Sequence, residues 1–449
     1  MLDSKLLRTI TIDIPPDKSL SHRFLIFAAL AKGKSDLKSL LKGADCISTL
    51  NCLKSLGVQY TKINLEHAAY FDVKADSPGF QDWNKGPLDL DFGNSGTSAR
   101  LLIALLAALP GLNATCYGDP SLIERPMARV IDPLLSMGAD IRYLAKPGYL
   151  PIEIKGKQLQ THNFEINIAS AQIKSALILA SLVTSQTDTK KPQNSLQIKL
   201  PKGSRDHTEN ILRGLGFPII NEIQNSKELI SLALDAQQFL PIHTKIPADP
   251  SSAAFFVPLA LHRSGRDIFF PELLLNQGRC AYLQKFRQFG FEIEMTAQAE
   301  LSAFELAGSV RVKSPENIRP IQVKASEVAS LIDEIPILAI TALFANGVST
   351  FAGLEELRYK ESDRLELITR LINAAGGRAT IEKNDLRVEP NARNLYSLNK
   401  SFDCAGDHRI VMCASILRVL SGDPIAFVDD PSVAVSFPNF FELLKKHFA

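Results

Sequence analysis

The densest group of chemically capable side chains is Leu357–Leu365, LRYKESDRL, which places Arg358, Lys360, Glu361, Asp363 and Arg364 within nine residues. Leu365, Leu367, Ile368, Leu371 and Ile372 then recur near helical spacing, so the charged group is expected to open a helix. On that reading Lys360 and Arg364 share one face. Two cations beside a carboxylate can hold an anionic substrate next to an acid or base. A charged helix start is more often a solvated face laced with ion pairs. The rest of the chain has to decide.

Similar residues open other apolar runs. Lys18-Ser19 is followed by Arg23, one turn above Ser19, and no GxxxxGK precedes it, so this is not a Walker loop. Gly93-Asn94-Ser95-Gly96-Thr97-Ser98-Ala99-Arg100 has glycines where backbone can pass close to a ligand, although a plain tight turn fits equally. Asp333-Glu334 lies in the apolar setting LIDEIPILAI, where a carboxylate is either an N-cap or a base candidate. Asp407-His408-Arg409 opens another run, with His408 read as structural. Glu124-Arg125-Pro126-Met127 and Gly203-Ser204-Arg205-Asp206-His207 lie in loops. Together Lys18, Arg23, Arg125, Arg205, Lys360, Arg364 and Arg409 make a cation set suited to substrates with several negative charges, with Asp333 and Glu361 as acid/base groups.

The elements that must position these residues repeat. A small or acidic polar residue followed by an apolar helical run begins at Ser19, Ser95, Ser170, Ser251, Asp333 and Asp407, at intervals of 74 to 82 residues. Five runs are followed by a glycine: Gly33, Gly111, Gly265, Gly347 and Gly422. A second series, a helix ending in glycine before a strand-like segment, runs in step through Gly57, Gly138, Gly216, Gly290 and Gly376. Two interleaved series at one period imply six copies of one α/β module, with runs such as LLIALLAAL buried on nearly every face. Three modules form each globule. Domain 1 is expected over 18–245, and domain 2 over 1–17 and 246–449, with the strand Thr9–Ile14 joining the second globule and two hinge-like connections between them. Helix N-termini carry unsatisfied N–H groups, so six starts aimed at a shared cleft would trap anions without net positive charge. For any one start alone, a plain N-cap is the commoner role.

Composition narrows the classes. At 449 residues more than one core is expected. Lys and Arg (50) nearly cancel Asp and Glu (48), and no basic run suggests nucleic acid or a membrane surface. The six cysteines form no CxxC pair or Cys/His cluster, so free thiols and no metal site are expected. No signal peptide and no clean apolar stretch of spanning length is seen, which points to the cytoplasm.

Taken jointly, DKSLSHR (17–23), GNSGTSAR (93–100), GDPSLIERPM (118–127), SAQIKSALILA (170–180), SRDHTE (204–209), DPSSAAFF (249–256), DEIP (333–336), LRYKESDRL (357–365), DHRIVM (407–412) and SFPNFFE (436–442) resemble the 5-enolpyruvylshikimate-3-phosphate (EPSP) synthases, class II more than class I. The resemblance implies the two-domain enolpyruvyl transferase fold, each domain built of three βαβαββ units with buried helices. It also implies enolpyruvyl transfer from phosphoenolpyruvate to the 5-hydroxyl of shikimate 3-phosphate, releasing phosphate, by a monomer with no cofactor or metal. Carried over, Lys18, Ser19, Arg23, Ser170, Gln172, Arg205, Asp333 and Lys360 would hold shikimate 3-phosphate. Lys18, Gly96, Arg125, Gln172, Arg364 and Arg409 would hold phosphoenolpyruvate, with Asp333, Glu361 and Lys18 moving protons. Val435 stands where many class I members have lysine, and Leu101 where proline is common. Gly96 stands where some herbicide-tolerant class II members carry alanine, so glyphosate is expected to fit. The sister family acting on UDP-N-acetylglucosamine usually has a loop cysteine where this chain has Pro120. An inert anion-binding scaffold is the other alternative, which the retained Asp333 and Glu361 disfavour.

Overall fold

The computed structural model describes residues 9–63, 69–187, 195–225, 227–234, 237–262, 267–298, 302, 304–391, 402–422 and 430–448. The chain divides into two compact units: Met1–Asp17 with Pro247–Ser302 and Leu306–Ala449, and Lys18–Ile246 with Ala303–Glu305.

All six apolar runs are helical at their starts: Lys18–Leu30, Gly96–Ala107, Ala171–Thr187, Pro250–Phe256, Ile335–Ala342 and His408–Ser421. They are apolar all round because they are covered all round; every residue of Ile335–Ala342 is buried. The caps differ in kind. Ser95 accepts from Ser98 N and Asp407 from Arg409 N, whereas in the fourth run the cap is Asp249, two residues before Ser251. The second glycine series follows the helices ending at Ser55, Ser136, Gly214, Phe289 and Ala374. Gly290 shows why the type matters: its φ is +113°, and a Cβ would come 2.9 Å from Asn317 O. Gly265 lies outside the described residues.

Five four-stranded sheets among the described residues share one topology. A leading strand pairs parallel with a second strand, and two antiparallel strands complete the sheet. The second module shows it as Leu88–Asp91, Asn113–Tyr117, Ile152–Lys155 and Asp140–Tyr143. The buried helix Gly96–Ala107 is the crossover that a parallel pair requires. In the first and fourth modules the leading strands are exchanged. Ile10–Thr11 pairs with Ile268–Leu274, and His243–Lys245 pairs with Lys32–Leu41. Apart from the short excursion Ala303–Glu305, the chain therefore passes between units at Asp17/Lys18 and at Ile246/Pro247. No described helix is long and apolar enough to cross a membrane, and all six cysteines are free.

The two passages are tied together inside the first unit. Asp17 N donates to Pro247 O (2.8 Å) and Asp249 N to Pro15 O (2.9 Å). Arg279, 2% exposed, closes the group, 2.9 Å from Asp17 Oδ2 and 2.8 Å from Asp249 Oδ1, and donates to Ser251 Oγ at 3.1 Å. Burial works against its charge, yet the carboxylates of Asp17, Asp249, Glu334 and Asp333 hold its pKa above the ordinary arginine value. Removing the cation strands buried carboxylates. Arg279→Met is expected to destabilise this unit by about 3–5 kcal/mol, read as a lower urea midpoint. An unchanged midpoint would show that the pair contributes nothing.

Candidate active site

In the first unit, the starts of three buried helices are joined by side chains. Arg364, 1% exposed, is the centre. Its Nε donates to Asp407 Oδ2 (2.8 Å), Nη2 donates to Glu361, and Nη1 lies 3.5 Å from Asp333 Oδ1. Asp407 also accepts from Ser362 Oγ at 2.8 Å. Arg409 donates from Nη1 to Asp333 O at 2.9 Å, its Nε is 3.6 Å from Asp333 Oδ1, and its guanidinium lies over the Phe255 ring. Ser251 Oγ donates to Glu334, which binds the fourth run to the fifth.

The electrostatics follow from that packing. Burial alone would raise the Asp407 pKa, but the Arg364 guanidinium outweighs it and holds the carboxyl below its usual value of 3.8. Arg364 is pushed up in turn: burial opposes its charge, and Asp407, Glu361 and Asp333 more than offset that. The set is two guanidiniums against three carboxylates, so each carboxylate sits beside a cation already fixed in place.

One local expectation fails. The helix does not open at Arg358; residues Glu355–Tyr359 form a 3₁₀ turn, Lys360 is extended (φ −86°, ψ −153°), and the α-helix begins at Arg364. The reason is Asp363, whose side chain accepts from Glu366 N and sets the start there. Lys360 and Arg364 consequently do not share a helical face. Arg358, paired with Asp363 (2.6 Å), braces that cap.

In the second unit, helix starts are joined in the same manner. Lys18 Nζ is 3.1 Å from Asp45 Oδ2. Arg23 donates to Ser19 O (3.1 Å), as the one-turn spacing predicts, and reaches on to Thr208 Oγ1 (2.9 Å) and Ser175 Oγ (3.1 Å). Gln172 accepts from Arg100 Nη1 (3.0 Å) and donates to Thr97 Oγ1 (3.0 Å). Arg125 Nη1 is 3.4 Å from Asn94 O. The Arg125 guanidinium lies against Gly96, where an added Cβ would come 3.0 Å from its Nη2 and 2.6 Å from Arg100 Nη1. Ser170 precedes the helix carrying Gln172 and accepts from Ile173 N at 3.4 Å. Arg205 stands in the turn before the helix His207–Gly214. Thus Lys18, Ser19, Arg23, Gly96, Arg125, Ser170, Gln172 and Arg205 fall in this unit, and Asp333, Lys360, Glu361, Arg364 and Arg409 in the other.

A sequence model of the family EPSP synthase (3-phosphoshikimate 1-carboxyvinyltransferase) matches residues 7–444. The chain belongs to the EPSP synthase family. It is 38% identical over 435 residues to a 3-phosphoshikimate 1-carboxyvinyltransferase of Leptospira biflexa, covering 97% of this chain and 96% of that relative. A Desulfitobacterium hafniense enzyme of the same name is 35% identical over 433 residues, covering 96% and 94%. Among solved structures, the EPSP synthase of Acinetobacter baumannii superposes with a TM-score of 0.80 at 29% identity, covering 98% of this chain and 95% of that one. The mixed α/β architecture and its repeated modules are therefore those of the EPSP synthase family. Cys116, the nearest thiol to the loop where the sister family has its cysteine, is buried in the strand Asn113–Tyr117, and burial pushes its pKa up. It offers no reactive group there.

Asp45 and Arg100 were not assigned roles from the sequence, and Asp407 was read as a helix cap, which it is, but not as a partner of Arg364. Arg100 had a faint signal, closing the Gly-rich motif one turn after Gly96. His22 shows the electrostatic strain of this region. It is fully buried, its Nδ1 2.7 Å from Thr49 Oγ1, and its Nε2 has no partner among the described residues. Burial first, then Lys18 and Arg23, hold its pKa well below 6.5. The unfolded chain binds a proton here below about pH 6.5, and the folded chain does not until lower pH. Stability is expected to fall by about 1.4 kcal/mol per pH unit below that point, relative to His22→Asn measured in parallel by urea unfolding. Parallel curves for the two proteins would refute it.

Proposed function

We propose that the protein is a 3-phosphoshikimate 1-carboxyvinyltransferase, transferring the enolpyruvyl group of phosphoenolpyruvate to the 5-hydroxyl of shikimate 3-phosphate with release of inorganic phosphate, in the shikimate pathway to chorismate and the aromatic amino acids. The observation that carries the reading is Asp333 held against both Arg364 and Arg409. A base beside two fixed guanidiniums suits a reaction in which an anionic substrate is attacked by a hydroxyl.

In this reading Ser19, Arg23, Ser170, Gln172, Arg205 and Lys360 hold shikimate 3-phosphate, and Lys18, Gly96, Arg125, Gln172, Arg364 and Arg409 hold phosphoenolpyruvate. Asp333 takes the proton of the 5-hydroxyl as its oxygen bonds to C2 of phosphoenolpyruvate. Glu361, with Lys18, delivers a proton to the methylene carbon, giving a tetrahedral ketal. Loss of a proton from the new methyl and departure of phosphate restore the enol double bond. Guanidiniums fixed before the reaction stabilise the anionic ketal without reorganising. The enzyme acts as a cytoplasmic monomer.

Phosphate release from the purified protein with both substrates tests the assignment. Asp333→Asn is expected to lower kcat by about 10²–10⁴-fold with an unchanged circular dichroism spectrum; near-normal turnover would remove Asp333 from the proton path. Glyphosate is expected to inhibit competitively with phosphoenolpyruvate. In Gly96→Ala the methyl displaces the Arg125 and Arg100 side-chain ends, so inhibition should weaken several-fold and KM for phosphoenolpyruvate should rise. Insensitivity of the unaltered protein despite normal phosphoenolpyruvate binding would defeat that expectation.

A further inference from the structure

The helix Ala171–Thr187 carries a single ionisable side chain, Lys174, in an otherwise apolar and small-residue run. That side chain is fully buried. Its Nζ lies 2.5 Å from Glu209 Oε1 and 3.5 Å from Glu228 Oε1, and donates to Ser204 Oγ at 2.6 Å. Ser204 Oγ in turn donates to Glu228 Oε2 at 3.1 Å. Asn221 donates to the other Glu228 oxygen at 3.4 Å.

Such a group is poor value as a stabiliser, because apolar residues of equal volume often serve a core as well or better. What it does achieve is geometric. Ser204 immediately precedes Arg205 in the turn between the strand Ser195–Pro201 and the helix His207–Gly214. The far end of that turn is fixed separately: His207 Nδ1 is 2.6 Å from Glu305 Oε1, and Thr208 Oγ1 is 2.7 Å from Ser175 Oγ and accepts from Arg23. On the near side, Gly203 has a φ of +96°, open to glycine, so the direction of the turn depends on what ties down the next residue. Ser204 is that next residue. Lys174 also stands one turn after Ser170, so one helix end sets both Ser170 and the Arg205 turn.

We propose that Lys174 is a positioning residue for the phosphate of shikimate 3-phosphate: through Ser204 it aims Arg205, without touching the substrate itself. This rests on the reading that Arg205 contacts that phosphate. Two variants isolate the role. Ser204→Ala cuts the link while leaving the Lys174–Glu209 pair, and Lys174→Met with Glu209→Gln removes the ammonium together with its nearest counter-charge, leaving Glu228 to Ser204 and Asn221.

Calorimetric titration with shikimate 3-phosphate and with shikimate, which lacks the phosphate, gives the readout. Both variants are expected to weaken shikimate 3-phosphate binding at least about tenfold, against a twofold or smaller change for shikimate. Combined with Arg205→Ala, neither should add a further loss, since all act through one contact. Equal weakening of both ligands, no weakening, or losses that add fully to Arg205→Ala would overturn the proposal. If Arg205→Ala alone leaves the ratio of the two affinities unchanged, the phosphate-contact reading falls, and the proposal with it.

Discussion

A guanidinium taken out of water must be surrounded by acceptors, and Arg364 meets that demand with carboxylates from three separate stretches of chain. Asp407 comes from the start of the sixth module, Asp333 from the fifth, and Glu361 from the loop just before Arg364 itself. The desolvation of such a cation is far larger than any one surface ion pair can offset. The three stretches are therefore committed to one another before substrate arrives. Helix His408–Ser421, the turn before Ile335–Ala342 and the loop Lys360–Asp363 cannot shift independently.

The second unit solves a related problem by different means. There Lys18 meets the carboxylate of Asp45, while Arg23 and Arg100 donate to Gln172, backbone carbonyls and hydroxyls. One unit thus carries carboxylates clamped to guanidiniums, and the other carries cations set among hydroxyls, carbonyls and an amide. A common module yields both because the helix start is a place where very different side chains can be mounted on the same backbone.

Much of this was legible in the sequence. The six helix starts and the glycine series reported a repeating backbone, and backbone repeats leave a periodic trace that survives side-chain variation. The extended Lys360 was not legible, because the pattern Leu365–Ile372 marks a helical face while the Asp363 cap decides where it begins. Lys174 and Arg279 were not legible either. Both are single charges whose partners lie about 30 residues away or much further along the chain, and no local periodicity encodes such pairs. Asp45 escaped for the same reason.

The exchange of leading strands sets an order for assembly on the ribosome. The second unit lacks only Ala303–Glu305 once His243–Lys245 emerges to flank Lys32–Leu41. Ile10–Thr11 meets no partner until Ile268–Leu274 has been made. At roughly 5–20 residues per second the amino-terminal strand waits on the order of tens of seconds. Translation therefore favours finishing one lobe around a tethered, unpaired leader, and only later does that leader seed the sheet of the other.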